Sequence, residues 1–219
     1  MALDVSLDPD AVRWSASETD RPGRPLLVLL HGYGSHEEDL FGLAPHLPPA
    51  FVVASVRAPF APRFPMPGHS WFAIDGVQSR DPAEVQASTD SVLTWLDAVR
   101  GDAPLVGMLG FSQGGVIALQ ALRTRPHDID FVVNLSGYAF PEPHEGDESL
   151  AEVRPPVFWG RGARDGVITP PFVEHTALWL PDHVDLSGRV YAELAHAVST
   201  DELDDVRVFL EKRLAKRKG

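Results

Sequence analysis

No cysteine occurs anywhere in the chain, which excludes disulfides, a thiolate nucleophile, iron–sulfur ligation and cysteine-based zinc sites together. Any covalent catalysis must use another nucleophile. Positive charge is also scarce: 19 Lys and Arg stand against 31 Asp and Glu, a formal charge of −12 at pH 7. The averaged field repels phosphate backbones, so no nucleic-acid partner is expected. The one basic concentration, six residues between Arg207 and Lys218, reads as the polar face of a helix whose apolar positions are Val206, Phe209, Leu210 and Leu214, with cations suited to a helix C-terminus. Long hydrophobic runs are missing as well. The longest strongly apolar run is Leu26–Leu30, far short of the roughly 20 residues that span a bilayer. Residues 1–10 hold three aspartates and no basic residue, unlike a secretory signal or a transit peptide. The expectation is no stable membrane insertion and a cytoplasmic location.

What is present suits a globular enzyme. Hydrophobic residues make up 44% and charged residues 23% of 219 residues, enough for one domain over 1–219 that buries roughly 70–75% of the surface of its unfolded chain. Short runs rich in Val, Leu and Phe alternate with amphipathic stretches, punctuated by Pro, Gly and Asp. The pattern predicts strands over 26–30, 52–56, 105–110, 131–135, 157–159 and 190–193, and helices over 37–47, 82–99, 113–125, 170–180 and 201–216. Residues 11–17 add a candidate antiparallel edge strand. Repeated strand–helix order implies a mostly parallel central sheet with helices on both faces, an α/β fold without a large cap domain. Two segments, 57–81 with prolines at 59, 62, 65 and 67, and 136–156, are too long for ordinary connections and read as binding walls or lids.

Chemistry concentrates at Gly110-Phe111-Ser112-Gln113-Gly114-Gly115, between an apolar run and a helical pattern. A serine in G-x-S-x-G at a strand-to-helix turn sits on a strained bend where neighbouring side chains would clash, and its hydroxyl stands above the C-terminal edge of the sheet. The helix N-terminus behind it places the amide of Gln113 and a positive dipole where an oxyanion can form. A serine hydroxyl needs a base, and in this architecture the acid and the histidine follow in that order. Of nine histidines, His196 follows the last predicted strand and precedes the last helix, a position from which its ring can reach the serine. His144, His175 and His183 lie in a polar loop or on a helix and its exit, as solvated residues would. Asp165, after the strand 157–159 and beside Gly166, is the candidate acid; Asp130 and Asp147 are weaker candidates, and a plain turn cap is the alternative role for Asp165.

His31-Gly32-Tyr33-Gly34 follows the strand 26–30, where a loop can turn an amide inward as the second half of an oxyanion hole. Tyr33 is the expected donor, partnered with Gln113, and His31 is expected to tie the loop by hydrogen bonds. Trp71 and Phe72 are candidate pocket walls, with core filling as the alternative.

These segments, in this order, resemble the phospholipase/carboxylesterase family, which includes bacterial carboxylesterases and acyl-protein thioesterases of the α/β-hydrolase fold. The likeness runs through His31-Gly32-Tyr33-Gly34, Ser70-Trp71-Phe72, the hexad around Ser112, Gly162 to Ile168 and His196. It implies a catalytic triad of Ser112, Asp165 and His196, oxyanion amides at Tyr33 and Gln113, substrate-binding positions at Trp71 and Val167, no metal or organic cofactor, and a possible homodimer. Ala73 stands where many members carry Asp, Ala195 where many carry Gly, and Tyr33 where an aliphatic residue is usual. The expected activity is hydrolysis of short-to-medium acyl esters or thioesters through an acyl-enzyme. The alternatives are a lysophospholipase or acyl-protein thioesterase acting on longer chains, and a non-catalytic binding protein on the same fold.

Overall fold

The computed structural model describes residues 5–62, 67–74 and 80–216. Pro65, the first four residues and the end of the basic tail, Arg217 and Lys218, lie outside them. The described residues form strands β1 Arg13–Trp14, β2 Leu26–Leu30, β3 Val52–Val56, β4 Val106–Phe111, β5 Phe131–Leu135, β6 Pro156–Gly162 and β7 Asp185–Tyr191. These join in one sheet ordered β1-β3-β2-β4-β5-β6-β7, parallel throughout except for β1. Helices α1 Glu37–Phe41, α2 Pro82–Val99, α3 Gln113–Thr124, α4 Asp147–Val153, α5 Pro170–His183 and α6 Thr200–Lys216 cover it. Among the described residues no large cap is inserted into this plan.

Strands β2, β3 and β5 are buried at every position, and mostly apolar, because both faces of the sheet are covered. Leu27 and Leu29 of β2, Leu109 of β4 and Val133 of β5 pack against Leu40 of α1 and Val206, Phe209 and Leu210 of α6. Val28, Leu30, Met108 and Val132, on the opposite face, meet Val92 and Leu96 of α2, Val116 and Leu119 of α3 and Leu180 of α5. Each such side chain contributes about 1.5–3 kcal/mol by leaving water. Parallel pairing brings the C-terminal ends of β2, β4, β6 and β7 to one edge, which is where the loops carrying chemistry converge.

Four elements differ from the sequence expectations. The helix expected over 37–47 stops at Phe41, and a short 3₁₀ turn at Ala44–His46 follows Gly42. The edge strand expected over 11–17 pairs only at Arg13 and Trp14, between 3₁₀ turns at Pro9–Ala11 and Glu18–Asp20. The last strand lies at Asp185–Tyr191 rather than 190–193, because it is a half-exposed edge whose Asp, Ser, Gly and Arg mask its period. The segment 136–156 contains α4, seven residues too short to announce themselves by period. Pro181 is accommodated inside α5, which runs on to His183.

Candidate active site

Ser112 has φ 53° and ψ −116°, a strained conformation between β4 and α3. The bend is so tight that a Cβ on Gly110 would come within 2.1 Å of the Gly114 carbonyl oxygen, and one on Gly114 within 1.9 Å of the Leu30 carbonyl oxygen. Glycine at both positions is therefore a steric requirement. Ser112 is 8% exposed, and its Oγ is 3.0 Å from Nε2 of His196. His196 Nδ1 is in turn 2.8 Å from Oδ2 of Asp165. A carboxylate can only accept, so Nδ1 carries the hydrogen and Nε2 is left to accept from the serine hydroxyl. The other carboxylate oxygen of Asp165 accepts the amides of Val167 at 2.8 Å and Ile168 at 3.1 Å. Phe111 lies against the imidazole, ring centroids 4.9 Å apart.

Tyr33 and Gln113 border the same cavity as Ser112 and His196. Among the described residues their backbone amides have no acceptor, whereas those of Gly34, Ser112, Gly115 and Val116 are all taken. N–H groups at a helix N-terminus and on the facing loop are available to hold a developing oxyanion. His31 makes the loop-tying bonds expected of it: Nε2 accepts the Ala58 amide at 3.0 Å and Nδ1 donates to the Gly32 carbonyl at 2.8 Å. Burial holds its pKa down at about 4, so the ring is neutral.

The cavity measures about 260 Å³. Val167, 62% exposed, borders it as expected. Trp71 does not. It is fully buried, its indole N–H donates to the His31 carbonyl at 2.7 Å, and it belongs to the core beneath the site rather than to the cavity wall. An aromatic in a loop can face either way, and here an available buried carbonyl decides. Several lining residues, Tyr138, Arg80 and Asp39 among them, are not singled out by the sequence. Tyr138 follows β5 in the long segment flagged as a binding wall, and Arg80 sits at the entry to α2 without any sequence signal. Asp39, on the opposite side in α1, lines the cavity with its carboxylate already accepting from Ser35 at 2.7 Å.

Among the described residues no group of three or more His, Asp or Glu side chains is arranged to hold a metal ion, and no helix is long and apolar enough to cross a membrane. The pattern that defines the phospholipase/carboxylesterase family matches residues 15–214. Acyl-protein thioesterase 1 of Saccharomyces cerevisiae is 27% identical over 221 aligned residues, covering 89% of this chain and 95% of that protein. The crystal structure of esterase PE8 superposes with a TM-score of 0.78 at 23% identity, over 96% of this chain and 99% of the other. That of the Bacillus cereus carboxylesterase does so with a TM-score of 0.77 at 20% identity, over 92% and 93%. With the family pattern spanning nearly its whole length, the chain belongs to the phospholipase/carboxylesterase family of α/β-fold serine ester hydrolases.

Proposed function

We propose that the protein is a carboxylesterase that cleaves short-to-medium acyl esters or thioesters through a covalent intermediate on Ser112. The observation that carries this reading is the unbroken line Asp165–His196–Ser112, with spacings of 2.8 and 3.0 Å, ending in a cavity bordered by two unengaged amides. Ser112 Oγ bonds to the carbonyl carbon as its proton passes to His196 Nε2. The amides of Tyr33 and Gln113 hold the oxygen that gains the charge. Collapse of this intermediate expels the alcohol or thiol, which takes the proton from His196. Water then enters by the same route and releases the acid, restoring the serine.

The cavity, about 260 Å³, falls below the usual range of roughly 300–1,000 Å³ for small-molecule sites, and charged Asp39 and Arg80 border it. Both features favour compact acyl groups. The likeness to acyl-protein thioesterase 1 supports the second reading, a longer acyl chain on a protein or lipid. A panel of p-nitrophenyl esters from acetate to palmitate separates the two: kcat/KM peaking at or below the octanoate supports the first, and a peak at the palmitate the second. Fluorophosphonate labelling read by intact mass tests the nucleophile. Ser112→Ala should abolish labelling and lower kcat by about 10⁶-fold, as in serine proteases. Near-normal turnover by folded Ser112→Ala would end the proposal, and failure of the parent protein to label would point to a binding protein.

A further inference from the structure

The reaction needs only the backbone amide of Gln113, which almost any residue would supply. Its side chain nevertheless is buried and hydrogen-bonded through both its oxygen and its nitrogen. The carboxamide oxygen accepts the Trp71 amide at 3.0 Å and the carboxamide nitrogen donates to the Phe72 carbonyl at 2.7 Å. A carboxamide presents one acceptor and one donor side by side, so it pairs with a peptide as a neighbouring strand would. This matters because residues 71–74 belong to no helix or strand, although Trp71 and Phe72 are 0% exposed. Their backbone groups must find partners elsewhere, and they find them in side chains: Gln113 takes two, Ser88 donates to the Trp71 carbonyl, and Glu84 accepts the Ala73 amide at 2.6 Å.

Trp71 then reaches across to the other half of the site. Its indole N–H donates to the carbonyl of His31, two residues before Tyr33. The two amides that flank Ser112 come from loops far apart in sequence, one after β2 and one at the start of α3. A single buried segment is hydrogen-bonded to both. We infer that the Gln113 carboxamide and the Trp71 indole form a strut that sets the spacing between the Tyr33 and Gln113 amides. This inference rests on Ser112 being the nucleophile and those amides its oxyanion hole. Both side chains are positioning residues: neither borders the oxyanion with its own side chain, and each acts through the backbone it holds. Neither group titrates in the working range, and the neutral His31 ring beside Trp71, centroids 5.5 Å apart, completes a strut without charge.

Gln113→Met keeps the length and the backbone amide while deleting both bonds, and Trp71→Phe deletes only the bond to His31. Four quantities are read for each variant: kcat and KM with p-nitrophenyl butyrate, Ki for an alkyl trifluoromethyl ketone whose serine adduct carries the oxyanion, and the thermal transition. Misplacing an oxyanion donor costs transition-state binding rather than substrate binding. The expected result is a kcat lower by about 10–100-fold, KM within about threefold, and Ki rising by the same factor as kcat/KM falls. Folded Trp71→Phe with parental kcat and Ki overturns the inference, even if its transition temperature drops, because that is what a merely structural role gives. Should Gln113→Met fail to fold, Trp71→Phe alone decides. A parent protein that neither turns over the ester nor binds the ketone defeats the assignment of Ser112 instead.

Discussion

One oxygen of Asp165 meets the His196 imidazole at 2.8 Å while the other is pinned by the amides of Val167 and Ile168. The carboxylate is thus oriented by the backbone before it orients the ring, and both oxygens are occupied by donors. Asp165→Asn breaks this arrangement whichever way the amide turns, because its N–H₂ must face either the imidazole N–H or two backbone N–H groups. The ring is then free to adopt the tautomer that cannot accept from Ser112. The expected loss is about 10⁴-fold in kcat in a folded protein, measured with p-nitrophenyl butyrate. A loss below tenfold would mean that Asp165 is only a turn cap.

The chemistry-bearing loops were legible in the sequence because they obey local steric rules. The bend at Ser112 demands glycine at 110 and 114, and parallel topology sends the C-terminal ends of β2 to β7 to one edge, so the segments holding Asp165 and His196 could be brought to it from chain order alone. What was not legible depends on contacts distant in sequence. Trp71 looks identical in the chain whether it faces a substrate or the His31 carbonyl. β7 escaped because an edge strand has one dry face and few apolar residues, and Tyr138 and Arg80 reach the cavity only through tertiary packing.

Arg123 is 1% exposed, and all five of its N–H groups are used. Two go to Asp147 at 2.7 and 2.8 Å, and the others to Gln120 and to the carbonyls of Phe140 and Glu142. The loop after β5, which carries Tyr138 into the cavity, is fastened to α3 chiefly by this side chain. Arg123→Met removes all five donated hydrogen bonds and leaves the buried end of the Asp147 carboxylate with only the His144 amide. It should destabilise the protein by about 3–5 kcal/mol, a fall in Tm on the order of 10 °C for a chain of this size. Lysine, with three donors, should recover less than half. Thermal unfolding of both variants checks this, and a change of under 2 °C in Arg123→Met would contradict it.

His31 is buried and neutral, its pKa lowered from 6.5 to about 4 chiefly by burial. The unfolded chain therefore takes up this proton at a higher pH than the folded one. Its contribution is complete above pH 6.5 and is lost as pH falls toward 4, by on the order of 3 kcal/mol. Replacing the ring with a group that does not titrate removes that slope. The stability advantage of the parent over His31→Gln, from urea unfolding, should shrink as pH is lowered from 7 to 4.5. An advantage constant across that window would show that His31 takes up its proton at the same pH in the folded and unfolded states.

Glu202 has the opposite sign. It lies in the first turn of α6, 0% exposed, with neither carboxyl oxygen hydrogen-bonded among the described residues, and abuts Gly160 so closely that a Cβ there would sit 2.2 Å from Oε1. Burial raises its pKa to about 7, the backbone N–H of Ser199 near the carboxyl opposes the shift, and the negative charge of Asp205 adds to it. Here the folded state holds the proton more tightly than the unfolded one. The contribution is present below pH 4.5 and is lost as pH rises through 7. Glu202→Gln cannot ionise, so it should match the parent within about 1 kcal/mol at pH 5 and exceed it by about 2–3 kcal/mol at pH 8. Urea unfolding at the two pH values reads the difference directly. Parallel stabilities at pH 5 and 8 would mean that the carboxylate is solvated or paired when charged, and the raised pKa would have to be given up.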